Sequence, residues 1–68
     1  MGELFKTEEA GEYLGGVPAG TLRAWRHLRK GPKSFAIGRN VRYRKEDLDA
    51  WLEAQYEESV RGDELVES

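Results

Sequence analysis

Apolar positions recur at helical intervals in three stretches of the chain and switch to strict alternation in a fourth. Ala10, Tyr13 and Leu14 share one face after Thr7, and Leu22, Trp25 and Leu28 share another after Pro18. Leu48, Trp51, Leu52 and Gln55 mark a third stripe, with Tyr56 at its rim. From Ser34 to Arg44 the period falls to two: Phe35 and Ile37, then Val41 and Tyr43, alternate with Ala36, Arg42 and Arg44. The pattern predicts three helices and one β-hairpin.

Residues at the ends of these stretches agree. Thr7 is expected to cap the first helix, with Glu8 and Glu9 at the positive end of its dipole, and Gly15-Gly16 to end it. Pro18 suits the first turn of a second helix expected over residues 19–30, which Gly31-Pro32 stops. Gly38-Arg39-Asn40 supplies the hairpin turn, because Gly and Asn tolerate positive φ. The third helix is expected from Lys45 or Glu46, with Glu46, Asp47 and Asp49 favourable in its first turn. Leu4 and Phe5 are expected to pack beneath the first helix. The predicted core comprises Leu14, Leu22, Trp25, Leu28, Phe35, Ile37, Val41, Tyr43, Leu48, Trp51 and Leu52. At helical spacing beside leucines, the two tryptophans read as core residues rather than base-stacking ones. Residues 1–58 are expected to form one domain, and the acidic residues 59–68 a frayed or disordered tail.

Charge changes the picture. The formal net charge of −2 averages three unlike blocks. Residues 1–12 carry Glu3, Glu8, Glu9 and Glu12 against Lys6. Every charged residue in 13–45 is a cation: Arg23, Arg26, Arg29, Lys30, Lys33, Arg39, Arg42, Arg44 and Lys45. Beyond Lys45 the charges are acidic except Arg61. Such a basic block repels itself without a counter-charge and can bind a polyanion even though the sequence pI is near 5.4.

The chain has no cysteine and one histidine, which excludes disulfides, thiol catalysis and the usual zinc spacings. There is no nucleophile–base arrangement and no Gly-rich phosphate loop, so an enzyme is not expected, and neither is a cofactor or small-molecule ligand. With no apolar run near the roughly 20 residues that span a bilayer and no signal-peptide pattern, a soluble cytoplasmic protein without membrane contact is expected.

Two short helices joined by a glycine turn, followed by a hairpin with a cationic tip, are the parts of a winged helix-turn-helix: mainly α, three helices plus a two-stranded wing. Its second helix would enter the major groove of double-stranded DNA. Gly20, Arg23, Ala24 and His27 share the outward face as candidate base contacts, since Arg bonds guanine O6 and N7 and Ala can meet a thymine methyl. Thr21, Arg26, Arg29 and Lys30 are candidate phosphate contacts. Arg39, Asn40, Arg42 and Arg44 form the wing, placed along the backbone or in the adjacent minor groove. His27 could instead be solvated, Arg26 could pair with an acid of the third helix, and Arg44 could cap a helix.

The segments "TEEAGEYLGG", "TLRAWRHLRKGP" and "IGRNVRYRKEDLDAWLEA" resemble the small winged-helix domains of the excisionase and AlpA group, distantly similar to MerR-type domains. The resemblance covers about residues 3–55 and is specific when its pieces are taken together. It implies a phage or mobile-element excisionase, or recombination directionality factor, acting at the nucleoid of a bacterial host. Such a protein binds repeated sites in an attachment region, bends the DNA and directs an integrase partner toward excision. Other members of the group are promoter-binding regulators. Double Gly15-Gly16 and Ala19-Gly20 depart from the commonest pattern, which shifts the expected base contacts toward Arg23 and His27. A protein-binding module such as an antitoxin is a third reading. The segregated charge further suggests cooperative head-to-tail self-association, with acidic helix against basic wing.

Overall fold

The computed structural model describes residues 2–60, ordered as β1 (Leu4–Phe5), α1 (Thr7–Tyr13), α2 (Ala19–His27), β2 (Phe35–Ile37), β3 (Asn40–Arg44) and α3 (Lys45–Ser59). The sheet has three strands rather than two, in the order β1-β3-β2, with both pairings antiparallel. The added strand is β1: Leu4 pairs with Arg44 and Phe5 with Tyr43, so these residues join the sheet instead of simply lying under α1. Three helices and this small sheet make a winged helix-turn-helix. Ser59 still belongs to α3, and the remainder of the expected tail, residues 61–68, lies outside the described residues.

Helix α1 starts one residue earlier than a Thr7 cap implies. Lys6 is the N-cap, its backbone N–H donating to Glu9 Oε1 at 2.8 Å, and Thr7 is buried in the first turn. The chain turns at Gly15-Gly16 and is pulled back onto α1 by bonds from the Gly16 and Val17 N–H groups to the Gly11 carbonyl. Only glycine fits at position 11, because a Cβ there would lie 2.0 Å from the Val17 carbonyl oxygen. This close approach sets α2 against α1 as the second half of the helix-turn-helix.

Ala10, Leu22, Tyr43 and Leu48 form the fully buried centre, one residue from each of α1, α2, β3 and α3. Phe5, Leu14, Val17, Trp25 and Val41 pack around it half-buried. The Trp25 and Trp51 rings meet at 5.4 Å and tie α2 to α3, and Phe5 stacks on Tyr13 at 5.2 Å. Burying a leucine here contributes about 1.5–3 kcal/mol, and with so few fully buried residues each one matters.

Three predicted core residues are exposed. Leu28, the C-cap of an α2 that ends at His27 and not Lys30, is 63% exposed: at about 100° per residue it stands well round the helix from the buried Leu22. The chain reverses after it and lays Gly31 against Trp25, and Pro32 is buried. Phe35 and Ile37 are 37% and 52% exposed because the hairpin turn has two residues, Gly38 and Arg39, rather than three. Asn40 is drawn into β3 opposite Ile37, Ala36 faces Val41, and Phe35 faces Arg42. A one-residue change of register sends a strand's side chains to the opposite face. On α3, the stripe stops at Leu52: Gln55 and Tyr56 are exposed, like every described residue after Leu52.

Candidate nucleic-acid interface

Helix α2 buries Leu22 and presents Gly20, Arg23, Ala24 and His27 to solvent as one face. Its small residues are not there for packing. A Cβ on Gly20 would meet no heavy atom within 4 Å, so the open space above this turn is available to a partner. Thr21 is half-buried at the same end.

The wing comes to α2 through a shared cleft. Arg23 lines it together with Arg39, Asn40 and Arg42 of the hairpin and with Lys6, Thr7 and Glu8 of the α1 start, around an open space of about 380 Å³. A second cleft joins Arg23 to Arg26, His27, Val41 and Tyr43, and a third continues from Arg26 and His27 around Arg29, Lys30 and Lys33. Apart from Arg44 and Lys45, the cations of the basic block thus form one track, from the wing tip across α2 to the corner that leads into β2.

Local interactions divide these cations. Arg23 Nη2 lies 3.6 Å from Glu8 Oε2, a solvent-exposed pair that contributes little to stability but holds the side chain beside the α1 start. Arg26 donates from Nε to Ser34 Oγ at 2.8 Å and makes no ion pair with α3. Arg42 is half-buried and folds back onto the Val41 carbonyl at 2.9 Å. Arg44 stands apart from the wing tip: as the α3 N-cap it reaches Asp47 at 3.2 Å and Glu46 at 3.7 Å. Arg39 and Asn40 are exposed at the tip, and Arg29 and Lys30 at the far corner.

Under the track, burial pushes the Tyr43 phenol above its ordinary value, an effect that Ser34, Arg26 and Arg23 partly offset. Away from the track, Tyr13 donates its hydroxyl to Asp49 at 2.5 Å, and Lys45 Nζ donates to the same carboxylate at 2.9 Å. The two donors hold the Asp49 carboxyl below the usual carboxylate range. This cluster joins α1 to α3 and lies outside the cationic track.

Sequence reasoning missed two participants. Glu8 looked only like a helix-dipole acid, although its place in the first turn of α1 brings it to Arg23 across the helix-turn-helix. Ser34 opens the alternating stretch and lies just before β2, and nothing in the pattern relates it to Arg26. Among the described residues, no helix is long and apolar enough to cross a membrane, and no group of three acidic, His or Cys residues is placed to hold a metal ion.

A family model described as a helix-turn-helix domain matches residues 4–56. Comparisons with curated proteins and with solved structures find no match. The matched span runs from β1 through most of α3 and includes the whole cationic track. The outward face of α2 and the adjoining wing are the parts such a domain presents to a duplex, and this chain belongs to the helix-turn-helix domain family of DNA-binding proteins.

Proposed function

We propose that the protein is a sequence-specific architectural DNA-binder that occupies repeated sites in an attachment region, bends the DNA and directs an integrase toward excisive recombination. The observation that carries its DNA-binding part is the cleft in which Arg23 of α2 meets Arg39, Asn40 and Arg42 of the wing. In this reading Arg23, His27, Gly20 and Ala24 face base edges, while Thr21, Arg26, Arg29 and Lys30 take phosphates. The wing tip lies over the next stretch of backbone.

Excision is supported by the resemblance of the three sequence segments to excisionases and by the scale of the domain. A single small module buries only about 600–1,000 Å² on DNA, so useful affinity calls for several copies. Self-association is supported by the exposed end of α3, where Tyr56 and the C-cap Val60 are exposed together with Glu53 and Glu57, acids opposite in charge to the wing. A cytoplasmic, nucleoid-bound location follows from the same reading.

The test is a binding titration on fragments of the source genome at two salt concentrations, followed by footprinting. Several regularly spaced sites filled cooperatively beside an integrase attachment core support excision. A single site over a promoter means that the same interface serves a transcriptional regulator. If six cations meet phosphates, log K should fall against log salt with a slope of about −5. A slope near zero on every duplex excludes the DNA reading.

A further inference from the structure

The end of the wing stands clear of the rest of the domain. Every residue from Phe35 to Asn40 is exposed, and the two strands join through the two-residue turn Gly38-Arg39. Glycine suits the first position of such a turn, and Gly38 takes φ of 65° there. Ile37 and Asn40 therefore face each other as the last pair of the ladder, on the same outer face as Phe35 and Arg42. Ile37 leaves 52% of its surface in water, one residue from the turn.

A single exposed isoleucine on an ordinary surface calls for no explanation, but the surroundings of this one are cationic. Other exposed large apolar side chains lie elsewhere: Leu4 in β1, Tyr13 at the end of α1, Leu28 at the α2 C-cap, and Tyr56 and Val60 at the end of α3. Among the described residues, only Phe35 and Ile37 put such surface on the wing, whose Arg39, Asn40 and Arg42 line the cleft shared with Arg23. Core packing does not account for Ile37, which is absent from the cluster around Tyr43. Strand propensity explains a β-branched residue at this position, yet threonine would supply that without an apolar tip in water. An apolar side chain beside cations at the end of a narrow, protruding element suits a different task. Minor-groove proteins hold the groove with cationic and amide side chains and push an apolar wedge between base pairs, partly unstacking them and kinking the duplex.

We infer that Ile37 is such a wedge. The wing tip crosses the next stretch of backbone and turns its outer face into the minor groove, where Arg39 and Asn40 hold it and the Ile37 side chain opens one base step. The inference rests on the proposed architectural reading and adds the residue that makes the bend. Ile37 carries no charge, so it acts on DNA shape and leaves the count of phosphate contacts unchanged. The step it opens should be pyrimidine–purine, TA or CA/TG, which unstacks most easily.

The test compares the full-length wild type with Ile37→Thr and Ile37→Leu on a short duplex carrying the strongest footprinted site. The duplex is labelled at both ends for energy transfer, and a fluorescent purine analogue is scanned through its steps. The wild type should shorten the end-to-end distance and brighten the analogue at one pyrimidine–purine step. Ile37→Thr keeps the β-branch and should hold Tm within about 4 °C. Its salt slope should equal that of the wild type, whereas the bend and the brightening should largely vanish and affinity fall several-fold. Ile37→Leu should keep both signals. A mismatched pair at the opened step lowers the cost of unstacking, so it should tighten wild-type binding about tenfold and leave Ile37→Thr unaffected. If Ile37→Thr bends and brightens the duplex as the wild type does, the wedge is refuted while the DNA reading stands. If its salt slope drops as that of Arg39→Ala does, Ile37 merely shapes the tip and the wedge is equally wrong. A wild type that binds with the expected salt slope yet leaves the duplex straight refutes the wedge together with the bending part of the proposed function. Lack of salt-dependent affinity for every duplex overturns the DNA reading itself.

Discussion

Phe35 stands directly opposite Arg42 across the β2–β3 ladder, so the aromatic ring shares the outer face of the sheet with the wing arginine and not the inner face with Tyr43. Leu4, opposite Arg44, and Ile37, opposite Asn40, lie on the same outer face. That face is apolar on its edge strands and cationic along its middle one.

The register predicts unequal costs for superficially similar substitutions. Ile37→Ser should change stability by no more than about 0.5 kcal/mol, as expected for an exposed position. Leu48→Ala, at the fully buried centre, should cost about 2–5 kcal/mol. Urea melts of the two variants decide the matter: comparable losses would mean that Ile37 faces the core and the hairpin has a different register.

Glu8 restrains Arg23 in the free protein and must release it before the guanidinium can meet a base or phosphate. Glu8→Gln should leave Tm nearly unchanged, because both side chains are well exposed, and should tighten DNA binding several-fold at low salt. Arg23→Ala should weaken specific binding by about 1–3 kcal/mol and relax preference at one base pair. Fluorescence anisotropy against specific and scrambled duplexes separates these effects; equal losses on both would assign Arg23 to phosphate.

A Cβ on Gly20 meets no heavy atom within 4 Å, so a side chain there is expected to point into open space without disturbing the fold. Gly20→Leu should therefore retain or raise Tm, since leucine is the better helix former by nearly 1 kcal/mol. It should also weaken specific DNA binding more than tenfold by holding α2 away from the groove. Unimpaired binding would show that this turn of α2 stays clear of the bases.

The Tyr13–Asp49–Lys45 cluster sets limits of stability at both ends of the pH scale. Asp49 is held below its usual 3.8, chiefly by the Tyr13 hydroxyl and then by Lys45, so its contribution is complete above pH 3.8 and lost as pH falls through the lowered value. Tyr13 is raised above 10.0, chiefly by Asp49, so its contribution is complete below pH 10.0 and lost as pH rises through the raised value. The Tm advantage of wild type over Asp49→Asn should shrink in acid, and that over Tyr13→Phe should shrink in alkali. Flat differences across both ranges would show that the cluster makes no contribution in solution.

Much of the architecture was legible in the chain because local rules and periodicity act over a few residues. The apolar faces around Leu22 and Leu48, the turn at Gly15-Gly16 and the outward cluster of Gly20, Arg23, Ala24 and His27 follow from local rules and spacing, whereas α2 ends at His27, before the stop expected at Gly31-Pro32. What escaped depended on single-residue choices. A two-residue strand such as Leu4–Phe5 has no period to detect. One residue more or less in the turn at Gly38 decides which face Phe35 and Ile37 occupy.

By itself, then, the sequence determined three helices, a hairpin and a wholly basic central block, since composition and periodicity are properties of neighbouring residues. Tertiary structure alone decided the union of Arg23 with the wing, the hold of Ser34 on Arg26, the diversion of Arg44 to α3 and the left-handed turn at Arg29. Each of these depends on how segments distant in sequence, or a chain reversal among the packed elements, place side chains within a few ångströms. Pattern along the chain carries no such information until the core around Leu22, Tyr43 and Leu48 has closed.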